Sequence, residues 1–254
     1  MNEIIQSLYD RKSVRAFEDR AVSSEVKEAL LHATLQAPTA GNQILYSIID
    51  VTDARLKEKL ADTCDHQPFI KTAPLVFVFV ADHTRWVKGF ELAGANPRSQ
   101  GVGDLMLAVT DTAIAAQNMV VAAQSLGLGS CYIGDILEQC ETHRELFNLP
   151  IHAVPVCMLV LGYPTKQQEE RVKPPRFDVK YVVGENAYPS LDDDEILTCF
   201  GEFRAKSTPN TPISLEDYLR AFCNRKYNAA FSMEMTRSVE KYLEAFEKIN
   251  IFED

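Results

Sequence analysis

The apolar stretch at residues 105–128 constrains the fold more than any other part of this sequence. Its length would suit a membrane span, but polar side chains interrupt it. They belong to Asp111, Gln117, Asn118 and Gln124. The predicted helix, residues 104–126, is apolar nearly all round and rich in alanine, so it must be buried on several sides. We therefore predict a buried helix of a soluble protein and no membrane partner.

Apolar runs typical of β-strands alternate with helical patterns before this helix and after it. β-branched and aromatic residues are dense in residues 44–51 and 74–81, and a predicted helix at 54–64 separates these runs. Further strands are predicted within residues 127–135 and 153–164. Strands that alternate with helices in this way indicate an α/β or α+β core.

The pattern changes beyond Pro189, where helical periodicity replaces strands. A turn-rich segment, residues 208–212, separates the helices of this part. We therefore predict a main domain at residues 1–190 and a C-terminal helical extension at residues 191–254.

The formal net charge of −10 argues against a general binder of nucleic acid or of anionic membranes. Any phosphate site must therefore be local. The first residues lack the long apolar region of an export signal, which predicts a cytoplasmic protein. The six cysteines are scattered without a CxxC pair, which predicts reduced thiols.

Common catalytic and cofactor motifs do not occur in the sequence. The histidines lack the spacing of a metal site, and no serine or cysteine lies in a nucleophile motif. The glycines of GLGSCYIGD do not form the GxGxxG fingerprint of dinucleotide-binding folds. We therefore expect no metal and no catalytic side chain that acts as a nucleophile.

Three polar residues of the segment RKSVRAF alternate along the chain. In an extended segment, Arg11, Ser13 and Arg15 would project from one side as a row of hydrogen-bond donors. A phosphate or a ring carbonyl is the natural guest of such a row. The alternative is a solvated basic loop.

Two other segments are candidate parts of a binding site. Small residues around Gly41 expose backbone N–H groups and leave room for a planar ligand, although an ordinary turn has the same composition. A second basic patch follows the last predicted strand and contains Arg171, Lys173 and Arg176.

Taken in order, the motifs of residues 3–190 resemble the nitroreductase family, closest to its larger, oxygen-insensitive NADPH nitroreductase or flavin reductase type. They are RKSVRAF, APTAGNQ, DTAIAAQNMVVAAQSLGLGS, CYIGD, LVLGYP and KPPRF. The resemblance implies an α+β, three-layer α/β/α fold with a central, mainly antiparallel sheet. It also implies a domain-swapped homodimer with FMN bound at the interface, and it assigns residues 1–190 to the FMN-binding domain.

The resemblance also assigns residues to the FMN site. The N-terminal donors would be Arg11, Lys12, Ser13 and Arg15. The loop contributed by the partner protomer would contain Thr39, Ala40, Gly41 and Asn42. Other contacts would come from Gln67, Tyr132, Ile133, Gly134, Lys173 and Arg176. A backbone N–H of Gly134 or Asp135 would face flavin N5, and either Arg176, which we favour, or Lys173 would hold the phosphate.

The implied activity is hydride transfer from NADPH or NADH to bound FMN, followed by reduction of a nitroaromatic, a quinone or a free flavin in a ping-pong mechanism. Dehalogenase-like and flavin-fragmenting enzymes of the same fold are alternatives. A flavin-binding redox sensor with little turnover is another. The choice of nicotinamide, the physiological acceptor and the role of the extension stay open.

Overall fold

The computed structural model describes residues 2–208 and 213–247. Residues 209–212 of the predicted turn and residues 248–254 of the predicted extension lie outside the described residues. The helices are α1 Glu3–Asp10, α2 Ser24–Thr34, α3 Ala54–Thr63, α4 Phe69–Thr72, α5 Thr84–Leu92, α6 Val102–Ser125, α7 Cys140–Phe147, α8 Lys166–Glu170, α9 Asp193–Ser207, α10 Leu215–Lys226 and α11 Ala230–Leu243. The strands are β1 Tyr46–Asp50, β2 Leu75–Ala81, β3 Gly129–Ile133 and β4 Val154–Gly162.

The strands lie side by side in the order β1-β2-β4-β3, and each neighbouring pair is antiparallel. Tyr46 of β1 is opposite Ala81 of β2, and Asp50 is opposite Phe77. Every residue of β2 is buried, because this strand is central and both of its faces are covered. The predicted mainly antiparallel sheet is confirmed.

Alternate side chains of β2 enter two different cores. Phe77 and Phe79 pack in the core that contains residues of α2 and α6. Val76, Val78 and Val80 pack in the core that contains residues of α3 and α4. Helices therefore cover both faces of the sheet, and the predicted three-layer α/β/α architecture is confirmed.

Helix α6 is long and apolar enough to cross a membrane by length and composition. Met119 and Val120 are fully buried against the sheet, which identifies α6 as a core helix. Met106 and Leu107 are 60% and 52% exposed. The predicted burial on several sides is therefore incomplete within one chain.

The chain divides into two compact units, one comprising Met1–Arg171 with Met233–Asp254 and the other Val172–Ser232. The boundary predicted at residues 190/191 falls inside the second unit, and the predicted domain division stays a prediction.

Helix α5 was not predicted. It has no side-chain cap and no buried residue, so its sequence lacks the usual signals of a helix.

Candidate functional site

The basic segment after α1 lies along β3 in an extended conformation. Ser13 forms a parallel bridge with Ser130, and the N–H of Val14 donates to the carbonyl of Ser130 at 2.9 Å. The two chains approach so closely that a Cβ on Gly129 would lie 2.6 Å from Val14 Cγ2. Val14 is 4% exposed, so Arg11, which alternates with it, projects away from the core.

Several cationic side chains converge beside β3. Burial raises the pKa of the Cys131 thiol, and the positive charges of Arg15, Arg11 and Arg171 partly oppose this rise. Arg171 donates through Nη2 to the carbonyl of Ser13. Among the described residues, Arg11 Nη1 and Arg171 Nε are buried without a hydrogen-bond partner. These two N–H groups can donate to an anionic or carbonyl-bearing ligand.

Arg171 is a site residue that sequence reasoning counted only as part of a basic patch. Its place in the predicted patch was the available signal, but its contact with Ser13 joins residues far apart in the chain. Lys12 also has a role that was not predicted. Its ammonium donates to the carbonyls of Glu169 and Arg171, each at 2.5 Å, and so ties the basic segment to the C-terminal end of α8. Its role in FMN binding stays a prediction.

The end of β3 brings several predicted site residues together. The Gln67 amide donates to a carboxylate oxygen of Asp135 at 2.9 Å and to the carbonyl of Cys64 at the same distance. Apart from Gly134 and its two chain neighbours, no atom of the described residues lies within 4 Å of the position that a Cβ on Gly134 would take, which leaves room for a flat ligand. Ile133 is buried in the core, so only its backbone could face a ligand there.

Tyr132 lies next to Ile133 in β3 and contacts the long helix. Its hydroxyl donates to the Gln117 side-chain carbonyl on α6 at 3.3 Å, and burial raises the pKa of this hydroxyl. The phenol therefore stays protonated at neutral pH and remains a hydrogen-bond donor.

Glu138 lies beside Asp135 and was not predicted as a functional residue. It is 4% exposed, and its Oε1 has no hydrogen-bond partner among the described residues. Burial, together with the negative charges of Asp135, Asp65 and Glu234, raises its pKa to about 8. A buried, protonated carboxyl group therefore borders the segment that contains Gly134 and Asp135 at neutral pH.

The predicted flavin loop is held by a residue of the long helix. The backbone N–H of Ala40 donates to Asp111 Oδ1 at 2.9 Å, and the Thr39 hydroxyl donates to Oδ2. Gly41 has a φ of +57°, which is the left-handed conformation that glycine tolerates. In the sequence, Asp111 stood out only because it interrupts an apolar stretch. A carboxylate in such a helix is a usable signal of a residue that binds another part of the chain.

A cavity of about 720 Å³ lies next to this loop, between residues 42–48 and α5. Asn42 is the only one of the predicted site residues that lines it. Arg85 donates to the carbonyls of Ile44 and Tyr46, at 3.0 and 2.6 Å, and so fixes the chain beside the cavity.

Lys173 and Arg176 lie in the unit Val172–Ser232. Arg176 donates through Nη1 to the carbonyls of Pro174 and Pro175, at 2.9 and 3.1 Å, so its guanidinium folds back on its own loop. The assignment of a phosphate contact to Arg176 or Lys173 stays a prediction.

Comparison with known proteins gives consistent matches. The model of the nitroreductase family matches residues 8–163. The chain is 35% identical over 193 residues to the oxygen-insensitive NADPH nitroreductase of Salmonella typhimurium, which covers 76% of this chain and 78% of that protein. It is 32% identical over 235 residues to an FMN reductase (NADPH) of Bacillus subtilis, with 91% and 89% covered.

The fold agrees with these matches. The structure of NfrA2 of B. megaterium superposes with a TM-score of 0.82 at 28% sequence identity, over 98% of this chain and 100% of that one. The family match includes the basic segment, α6 and the whole sheet described above. The chain belongs to the nitroreductase family.

Proposed function

We propose that this protein is an FMN-dependent oxidoreductase that takes a hydride from NADPH or NADH and reduces a small acceptor such as a nitroaromatic, a quinone or a free flavin. The observation that carries the proposal is the pair of buried guanidinium N–H groups on Arg11 and Arg171 without a partner among the described residues. Buried donors left unpaired are unfavourable, and an anionic ligand would satisfy them. The relatives named as NADPH nitroreductase and FMN reductase support the choice of ligand and donor.

The residues present fit FMN. Its phosphate and ring carbonyls are acceptors of the kind that Arg11, Ser13, Arg15 and Arg171 can bind. The open space at Gly134 suits a planar ring. When bound, FMN supplies the two-electron redox chemistry of its isoalloxazine ring.

We assign each of the other predicted residues a role in binding or orientation. Gln67 is held by Asp135 in an orientation that leaves its side-chain carbonyl available as an acceptor. A backbone N–H of Gly134 or Asp135 would stabilise negative charge on the reduced ring. The remaining contacts are proposed from the resemblance for Lys12, Thr39, Ala40, Gly41, Asn42, Tyr132, Ile133, Lys173 and Arg176.

We propose that the protein works as a homodimer in the cytoplasm. The side chains of Met106 and Leu107 on α6, and of Ile4 on α1, are apolar and exposed, and a second copy could cover them. This supports the interface implied by the resemblance, in which the loop around Gly41 reaches the flavin of the partner. Residues 1–190 would then carry the FMN site and residues 191–254 the extension.

Anaerobic addition of NADPH or NADH to the FMN-loaded protein tests the activity. Rapid loss of the flavin absorbance, followed by its return on addition of a nitroaromatic, is the expected result. A flavin that stays oxidised for minutes with both nicotinamides would contradict the reductase and favour a binding or sensing role. A protein that does not take up FMN would contradict both.

The variant Arg11→Met tests the site itself. It removes a charge-assisted donor worth roughly 1.5–3 kcal/mol, so we expect the FMN dissociation constant to rise at least about tenfold. Arg55→Met, which removes an exposed arginine from α3, is the matched control and should leave FMN binding unchanged. Equal FMN affinities of the two variants would overturn the assignment of Arg11.

A further inference from the structure

We infer that Asp111 is a positioning residue for loop 39–45, and through this loop for the FMN site; the inference rests on the proposed function. Asp111 lies in the apolar helix α6 and is 3% exposed. A carboxylate buried to this degree is stable only when hydrogen bonds replace its hydration. The loop supplies these bonds.

The carboxylate binds both ends of the loop at once. At the first end, Ala40 donates its N–H to Oδ1 at 2.9 Å and Thr39 donates its hydroxyl to Oδ2. At the second end, Leu45 donates its N–H to Oδ2 at 3.4 Å. The Thr39 hydroxyl also accepts from the N–H of Ile44 at 2.8 Å. One buried group therefore closes the loop.

The bonds to Asp111 hold an unfavourable backbone conformation between these ends. Gly41, Asn42 and Ile44 have φ values of +57°, +56° and +54°. A left-handed conformation is costly for a β-branched residue such as Ile44 and persists only where its surroundings impose it. The hydrogen bond from the Ile44 N–H to the Thr39 hydroxyl is such a constraint, and Asp111 orients this hydroxyl.

The chemistry of the site requires a carboxylate in particular. All three partners donate to Asp111, so both of its oxygens must accept. An asparagine of the same shape would turn an NH₂ group toward at least one of these donors. Asp111 therefore fixes which backbone groups the tip of the loop presents to the flavin, although it does not itself need to touch the flavin.

The test compares Asp111→Asn with Thr112→Val in the FMN-loaded protein. Thr112 is the next residue of α6 and is fully buried, and among the residues that the structure describes its hydroxyl donates only within its own helix, to the carbonyl of Ala108 at 2.5 Å. We expect the FMN dissociation constant to rise at least about tenfold in Asp111→Asn, with a changed visible circular dichroism of the bound flavin. Thr112→Val should stay within about threefold of wild type, with an unchanged spectrum.

Two results would overturn the inference while leaving the proposed function intact. In one, Asp111→Asn binds FMN like wild type with the same spectrum. In the other, Thr112→Val loses as much affinity as Asp111→Asn, which would indicate general repacking of α6. Failure of the wild type to bind FMN would instead contradict the proposed function.

A second variant keeps the test decisive if Asp111→Asn does not fold. Glycine adopts a φ near +54° without strain, so the loop of Ile44→Gly depends less on the bonds to Asp111. We expect Ile44→Gly, added to Asp111→Asn, to restore both cooperative unfolding in urea and part of the FMN affinity. A double variant that matches Asp111→Asn in both measurements would overturn the inference.

Discussion

Replacement of Glu138 by glutamine should make the protein less sensitive to alkaline pH. The Glu138 side chain is 4% exposed, and negative charges of Asp135, Asp65 and Glu234 act on it. Its Oε1 has no hydrogen-bond partner among the described residues. Arg237, which lies beside Glu234, is bound by Glu234 and Glu141.

The magnitude follows from the pKa of Glu138. Burial, followed by the charge of Asp135, raises this pKa from 4.5 to about 8 in the folded protein. Between these values the folded state retains a proton that the unfolded chain has lost, so stability falls as the pH rises from 4.5 to 8 and then levels off. The full difference corresponds to about 5 kcal/mol, which is a ceiling because relaxation and water entry reduce it. The glutamine side chain of the variant does not ionise in this range, and its amide can donate to Asp135.

Urea unfolding of wild type and Glu138→Gln at pH 5 and pH 8.5 measures the effect, with protein and FMN concentrations held constant. We expect the variant to gain at least about 2 kcal/mol relative to wild type between the two pH values. The control is Glu145→Gln on the exposed side of α7, where the difference from wild type should stay within about 0.5 kcal/mol. The reasoning is refuted if Glu138→Gln differs from wild type by the same amount at both pH values.

Two further predictions follow from packing. Gly129→Ala should lower the unfolding free energy by about 1–3 kcal/mol in urea titrations, because its Cβ would overlap Val14, whereas Gly103→Ala, with open space around it, should be neutral or stabilise α6 by up to about 1 kcal/mol. Equal stabilities of these two variants would contradict the close approach of the basic segment to β3. A thiol reagent at pH 8 should modify one cysteine rapidly, the exposed Cys223, because burial raises the pKa of thiols such as Cys157 to about 12. A second fast thiol in the folded protein would show that the core opens.

The sequence was sufficient for most of the elements and for the layers. The run that became β2 is apolar at every position, which requires cover on both faces, and the structure provides two cores. The composition of the stretch that became α6 predicted burial, and one side of this helix packs against the sheet. The prediction of reduced thiols is consistent with five buried cysteines. Cys223 is exposed, because α10 in the second unit has no buried residue.

The candidate site was only partly predictable. The spacing of Arg11, Ser13 and Arg15 indicated an extended row of donors, and its backbone pairs with β3 as such a segment should. Sequence spacing could not show that Arg171 donates to the carbonyl of Ser13, because the two residues come together only when the chain returns from β4.

Local periodicity therefore determined which segments are helices and strands and which faces are buried, since these depend on residues within a few positions of each other. The tertiary structure alone decided the partners of the polar groups. Asp111 meets Thr39 across 72 positions of the chain, and Gln67 meets Asp135 across 68. Such pairs depend on how whole elements pack, and a hydrogen bond tolerates errors of only a few tenths of an ångström. No pattern of neighbouring residues specifies a distance to that precision.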